Sequence, residues 1–423
     1  MRFIIFSGLL IFCIHAHAQQ LSGITESEVS RIEKTLAADD MQGRKVFTSG
    51  IEKAADFIVK EFKTAGLNPL PGSKDFRQSF IMVDPEPTEA TVIFDGESID
   101  KKNLAAFSAE EELSITPNDH YLKIVVKKSS DFGPVVFKYL DSKQNVLILV
   151  DTSLAKSFAR LANFHMPQFE GNGNRIFILT ATDPRQYNIQ IIQKIIKQDL
   201  TNLVGMIPGK SKPAEYVIFS AHYDHLGIGK PDLKGDSIFN GANDDASGTT
   251  AVITLANYFS KLHNNERTLV FAAFTAEEVG EFGSAYFSRH LDPAKVMAMF
   301  NIEMIGTESK WGINSAYMSG FDKSDMGIIL RKNLVNSQFK IYPDPYPEQM
   351  LFLRSDNATL AKLGVPAHTI STSKMDSEKY YHTQGDGVET LDLKNMAEII
   401  RGIGESAGSI ISGKDTPTRV KPE

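Results

Sequence analysis

The sequence has 423 residues, of which 42% are hydrophobic and 23% charged, with a formal net charge of −7 and no long run of one sign. That balance fits one large α/β domain with an insertion, or two domains, and excludes the basic character that a nucleic acid or an anionic membrane selects. Cys13 is the single cysteine, which excludes disulfides, a thiol nucleophile and thiolate metal ligands from the rest of the chain.

Residues 1–18 read as a secretory signal peptide. Arg2 supplies the positive start, 3–14 is apolar, and Ala16-His17-Ala18 matches the small-x-small pattern before a cleavage site. The apolar run is too short to span a bilayer, so no membrane span is expected in the mature chain. Export without cysteines fits a periplasmic or secreted bacterial protein. Residues 19–74 form an expected helical part of the main domain. In it Ile51, Ala54, Ala55, Ile58, Val59 and Phe62 share one face, and Gly66, Pro69 and Pro71 mark the stop.

From 75 to 195 the runs 91–94, 121–126, 146–150 and 175–180 read as strands between turn residues. His120 and His165 are isolated there. The segment is expected to be a β-rich insertion that walls or caps a substrate cleft. Residues 196–412 alternate strands and helices. The strand at 216–221 delivers His222, the strand at 268–274 delivers Glu277 and Glu278, and the strand at 296–302 delivers Glu303. Helices are expected at 249–262, 282–291, 355–363 and 391–411, with a further strand at 366–370. The tail at 413–423 is expected to fray. Such alternation predicts a mixed, mostly parallel sheet flanked by helices, with ligands bound beyond the carboxyl ends of the strands.

The residue types at those strand ends suit metal chemistry. In His222-Tyr223-Asp224-His225, Asp224 is placed to hold the second ring nitrogen of His222. His225 is expected to point the other way if the strand direction continues. Asp244-Asp245 lies between Gly241 and Gly248 before an apolar helix. It reads either as a helix cap or as a bridging carboxylate, Asp244, of the kind that holds two dications roughly 3.5–4 Å apart. Of the neighbours Glu277 and Glu278, the second suits a metal and the first a general base. Glu303 sits in an apolar stretch, where a carboxylate is costly unless paired or bound to a cation. His382 falls in the loop Tyr380-Tyr381-His382-Thr383. Together these residues meet the needs of two Zn2+ ions, each with three protein ligands and an open position.

The stretches Ala221-His222-Tyr223-Asp224-His225-Leu226-Gly227, 240–248, Thr275-Ala276-Glu277-Glu278, Asn301-Ile302-Glu303-Met304-Ile305-Gly306 and Tyr381-His382-Thr383 resemble the dizinc aminopeptidase family. That family includes the bacterial leucyl-type secreted aminopeptidases and, more distantly, glutamate carboxypeptidase and glutaminyl cyclase. The resemblance implies an exopeptidase acting on peptides. His222, Asp244 and Glu303 would bind one zinc, and Asp244, Glu278 and His382 the other. Glu277 would be the general base, Asp224 the partner of His222, and Tyr381 a donor to the oxyanion. Glu303 departs from the usual aspartate and Asn357 from a frequent histidine, which leaves substrate preference open. The 75–195 insertion stands where some relatives carry a protease-associated domain. Two alternatives remain open: a single-zinc glutaminyl cyclase, against which His222 and Asp224 argue, and a non-catalytic binding module on a peptidase fold.

Overall fold

The computed structural model describes residues 23–140, 142–164 and 167–421; the signal reading of 1–18 and His165 lie outside them. The chain divides into two compact units, residues 1–79 with 201–423 and residues 80–200, and the boundary falls inside two long strands, Arg77–Phe94 and Tyr187–Ile207. No helix of the described residues is long and apolar enough to cross a membrane.

The first unit begins with two amphipathic helices. In α1 (Glu26–Leu36), Thr25 accepts a hydrogen bond from the Glu28 amide and so caps the first turn, while Val29, Ile32 and Leu36 are buried. In α2 (Ser49–Thr64) the buried stripe is Ile51, Ala54, Ala55, Ile58 and Phe62. The sheet is built from β1 (Tyr187–Ile207), β2 (Lys212–His222), β3 (Arg267–Phe274), β4 (Val296–Ile302), β5 (Ser315–Met318), β6 (Lys340–Pro343) and β7 (Ala367–Ser371). Their spatial order is β6-β5-β7-β4-β2-β3-β1. The four central strands β7, β4, β2 and β3 run parallel, and β1 and β5 pair antiparallel at either side. This is the mixed, mostly parallel sheet that the alternation predicts.

Central parallel strands are covered on both faces, so they read as continuous apolar runs rather than alternating ones. Every residue of β3 is buried. Phe219 stacks on Phe271 and Phe300, with ring centroids 5.7 and 5.0 Å apart, and on Phe259 of α3 (Ser247–Leu262). Aromatic and aliphatic packing of this density fixes the strand ends from which the polar residues project. The remaining helices of note are α4 (Phe282–Arg289) and α5 (Leu393–Ser406).

One expectation needs correction. The segment after Gly413 is not frayed through 421. The buried guanidinium of Arg267 donates to the carbonyls of Ile410 and Asp415 and to the Thr416 hydroxyl, and the amide of buried Val420 donates to Gly364. Polar composition gave no hint of these backbone acceptors. The 80–200 unit sets helices beside its strands that its sequence pattern did not announce. Its four-stranded sheet, in the order Leu104–Phe107, Arg175–Leu179, Val146–Val150, Leu122–Val126, carries helices Ser129–Tyr139 and Ala155–Ala162. Gly133-Pro134 inside the first helix masks its periodicity, because both residues ordinarily argue against a helix. Alternate residues of Val146–Val150 enter different apolar clusters, Val146, Ile148 and Val150 with Phe158, and Leu147 and Leu149 with Ile115 and Ile189.

Candidate metal centre

β2 ends at His222, and the chain leaves the strand there. The Tyr223 amide still donates to Phe274 O of β3, and the Asp224 carboxylate then accepts the amides of Glu277 and Glu278 at 3.1 and 3.3 Å. One buried aspartate thus ties the turn after β2 to the turn after β3. Burial pushes its carboxyl up to about 6, against the opposing pull of His222. The expected role of Asp224 is corrected in one respect. The His222 Nδ1 lies 3.1 Å from the Asp224 carbonyl oxygen and 3.8 Å from its carboxylate, so the main chain orients the ring and the carboxylate holds the glutamate turn.

Asp244 sits in a tight turn, Ala242–Ala246, that leads into α3; the Asp244–Asp245 peptide bond is cis. Gly241 has φ +57°, and a Cβ on it would fall 2.3 Å from Asp244 O and 2.5 Å from the His225 ring, so only glycine fits. The amides of Asn243 and Asp244 donate to the Asp386 carboxylate at 2.8 and 3.0 Å. Asp245 accepts from the amides of His222, Gly248 and Met304, linking the ends of β2 and β4 to the start of α3. A Cβ at Gly248 would lie 2.1 Å from Ile302 O, so glycine is what lets the helix approach β4 this closely.

These turns bring the expected residues together. His222 Nε2 is 3.2 Å from Asp244 Oδ1 and 4.0 Å from Glu277 Oε2. His382 Nε2 is 3.3 Å from Asp244 Oδ2 and 3.1 Å from Glu278 Oε2. Asp244 therefore presents one oxygen to each histidine. Burial lifts Glu303 to about 7, with Asp244 adding to the rise and His222 opposing it. Burial also carries Glu277 well above the usual carboxylate range, reinforced by Glu303, Asp356 and Asp244. Burial alone would raise Glu278, but His225 and His382 hold it near 2. Contact with Asp244 and Glu278 raises His382 to about 10.

Several buried atoms here lack a well-oriented hydrogen-bonding partner: Nε2 of His222, His225 and His382, Oδ2 of Asp244 and Oε2 of Glu303. Buried polar atoms are rarely left unsatisfied, and imidazole nitrogens facing carboxylates form the donor set that zinc accepts. His225, Asp244 and Glu278 offer ligand atoms all within 4.8 Å of one another. The residues present fit a zinc centre.

His225 belongs to this cluster, contrary to expectation. Its Nδ1 is 2.7 Å from Glu278 Oε1. The expectation assumed that strand alternation continues beyond His222, whereas the chain turns at Tyr223 and the His225 amide donates to Arg44 O. Arg44 is a second residue that sequence reasoning did not place in the site. Fully buried, its guanidinium donates to four carbonyls: Tyr223, Leu36, Asn240 and Gly241, at 2.6–2.9 Å. It clamps the turn bearing His222 to the loop bearing Asp244. Asp386 braces the Asp244 loop against the loop that bears His382, and its only signal in the sequence was its position four residues after His382. Tyr381 stacks on the His382 ring, with centroids 3.8 Å apart, and lines the cleft beside Glu303.

Residues 202–407 match the profile of Peptidase family M28. Leucine aminopeptidase 1 of Blastomyces gilchristii is 28% identical over 211 residues, covering 47% of this chain and 52% of that protein. The match thus spans about half the length of that relative. Among solved structures, an aminopeptidase from Aneurinibacillus sp. strain AM-1 superposes with TM-score 0.56 at 17% identity, covering 96% of this chain and 97% of that one. A peptidase M28 precursor from Shewanella amazonensis gives TM-score 0.54 at 15% identity, covering 97% and 99%. At these identities the structural likeness is one of fold.

Proposed function

Residues 202–407 belong to Peptidase family M28, and from that premise we propose that the chain is an exported, zinc-dependent exopeptidase that removes N-terminal residues from peptides. The observation that carries this reading is Asp244, whose two oxygens face His222 on one side and His382 with Glu278 on the other. That arrangement suits two zinc ions, one held by His222, Asp244 and Glu303, the other by Asp244, Glu278 and His382. His225 stands beside the second as the partner that orients Glu278. When bound, the zinc pair supplies Lewis acidity at the scissile carbonyl and acidifies water.

The protein's own groups do the rest. Glu277, 4.0 Å from the His222 ring and raised by burial above the usual carboxylate range, takes a proton from water as its carboxylate and returns it to the departing amine. Asp224 fixes the backbone on which Glu277 rides. Tyr381, held against His382, donates its hydroxyl toward the developing oxyanion. Arg2, the apolar run 3–14 and Ala16-His17-Ala18 support export. Intact mass of the exported protein should place its first residue after Ala18; a full-length product would overturn this.

Glu277→Gln tests the mechanism. Two zinc ions per chain by elemental analysis and a kcat lowered about 10²–10⁴-fold are expected. Turnover near that of the native protein would overturn Glu277 as base. A single firmly bound zinc in the native protein would favour the cyclase chemistry instead.

A further inference from the structure

The cleft on the far side of Glu303 has an unusual wall for an exopeptidase whose relatives carry a leucine name. Hydroxyl-bearing residues, Thr369 and Ser371 among them, share it with apolar Met304, Leu351 and Met375. Among the residues lining it Arg354 is the single cation. The backbone around Arg354 is pinned. The next residue, Ser355, accepts a hydrogen bond from Asn301 at 2.7 Å and bonds to Glu303, and Asn357 donates to Phe352 O.

The guanidinium itself is scarcely used. Its recorded contacts are two from Nη1 to Gln349, at 3.4 and 3.5 Å, both long for a hydrogen bond. Among other arginines of this unit, Arg31 pairs with Glu28 and Glu61, Arg77 with Glu52 and Asp56, and Arg401 with Glu398, while Arg44, Arg331 and Arg419 are tied to main-chain carbonyls at 2.6–2.9 Å. Arg354 has no carboxylate partner among the described residues. The one carboxylate lining the cleft, Glu303, is electrostatically engaged with His222 and Asp244. Arg354 is exposed at the cleft it lines, and a planar fork of open donors there is the chemistry that receives a carboxylate, often in bidentate fashion. A leucine side chain would instead cover these polar groups without satisfying them.

We propose that Arg354 is a carboxylate receptor and that the preferred substrate places an acidic residue in this cleft. The inference rests on reading the neighbouring centre as a peptidase site. The carboxylate has two possible sources, an acidic side chain or the main-chain terminus, and binding measurements separate them without turnover. Calorimetry on the zinc-loaded full chain carrying Glu277→Gln, so that the amides are bound and not hydrolysed, compares L-glutamic acid α-amide, which keeps only the side-chain carboxylate, L-leucine, which keeps only the main-chain one, and L-leucinamide, which has neither. The α-amide is expected to bind at least tenfold tighter than leucinamide, with Arg354→Met erasing the margin and Arg354→Lys keeping part of it.

With glutamyl and leucyl p-nitroanilides, Arg354→Met should raise KM for the glutamyl substrate while kcat holds, lowering the glutamyl-to-leucyl ratio of kcat/KM about tenfold to a hundredfold. An Arg354-dependent margin confined to L-leucine would overturn the acidic side chain and assign the receptor to the main-chain terminus. Margins below twofold, or margins that survive Arg354→Met, would overturn the receptor altogether. Loss of hydrolysis with the binding margins intact would count against the peptidase reading and leave this one standing.

Discussion

Parallel strands end in a turn in both units, and the two sets of turns spend their polar groups differently. In the 80–200 unit, Val146–Val150 pairs parallel with Leu122–Val126 and with Arg175–Leu179. The residues that follow look inward to their own loops: Asp151 accepts the Ser153 amide and starts a short helical turn, and the Thr180 hydroxyl bonds within 180–182. In the other unit β2, β3 and β4 end in His222, Glu277-Glu278 and Glu303, where His222 Nε2 and Glu303 Oε2 are buried without a well-oriented hydrogen bond. Strand topology supplies a place for chemistry in both; Arg175 Nε and Gln193 Oε1 are unsatisfied in the 80–200 unit too, but among the described residues it is beyond β2 and β4 that such atoms gather as histidine nitrogens and carboxylate oxygens.

Removing the shared carboxylate should break the contrast most completely. Asp244→Asn is expected to leave fewer than two zinc ions per chain after dialysis and to lower turnover more than 10³-fold, since the one carboxylate that faces both histidines is lost. Elemental analysis beside a rate assay checks it, and two retained zinc ions would contradict the bridge. Disturbing the clamp comes next. Arg44→Lys keeps the charge and loses the fork that reaches four carbonyls, so zinc affinity by chelator competition should fall about 10–100-fold, with an altered visible spectrum of the cobalt-substituted protein. An unchanged spectrum and affinity would make Arg44 packing alone.

A smaller effect concerns Glu33, buried in α1 and bonded to Thr250 of α3. Burial raises its carboxyl to about 8 from 4.5, with Thr250 and Arg44 opposing and Asp386 adding to the rise. Since the folded-state value is the higher, the folded chain retains this proton where the unfolded chain has lost it. The stabilisation is complete below about 4.5, falls as pH rises toward 8, and is gone above it, a span on the order of 5 kcal/mol. Glu33→Gln should flatten that decline in denaturant titrations at pH 5 and pH 9; equal slopes would contradict it. The smallest effect belongs to the unarmed unit. Asp151→Ala should lower the melting temperature slightly and leave zinc content and turnover within twofold of native values.

What was legible in the sequence was local. Apolar runs located β2, β3 and β4 to within a few residues, because strands buried on both faces have no polar interruptions. Ligand types at their ends identified His222, Asp244, Glu278, Glu303 and His382 as residues that would converge. Contacts made to distant backbone were illegible. Arg44 bonds only carbonyls, Asp386 receives amides from Asn243 and Asp244, and the tail is held by Arg267; none of these acceptors or donors has a side-chain signature. His225 was lost to an assumption of continued alternation, which fails where a strand turns into a loop.

The Arg44 clamp also bears on how the chain is made. The Gly241 carbonyl that its guanidinium binds lies 197 positions later. At synthesis rates of about 5–20 residues per second, roughly 10–40 s separate the appearance of the arginine from that of its acceptor. Throughout that interval α1 and α2 exist without the loops they will brace, while the whole 80–200 segment is produced. The centre can therefore close only after the second half emerges, and a fragment restricted to 202–407 would carry every proposed ligand yet lack the cation that holds two of its turns together.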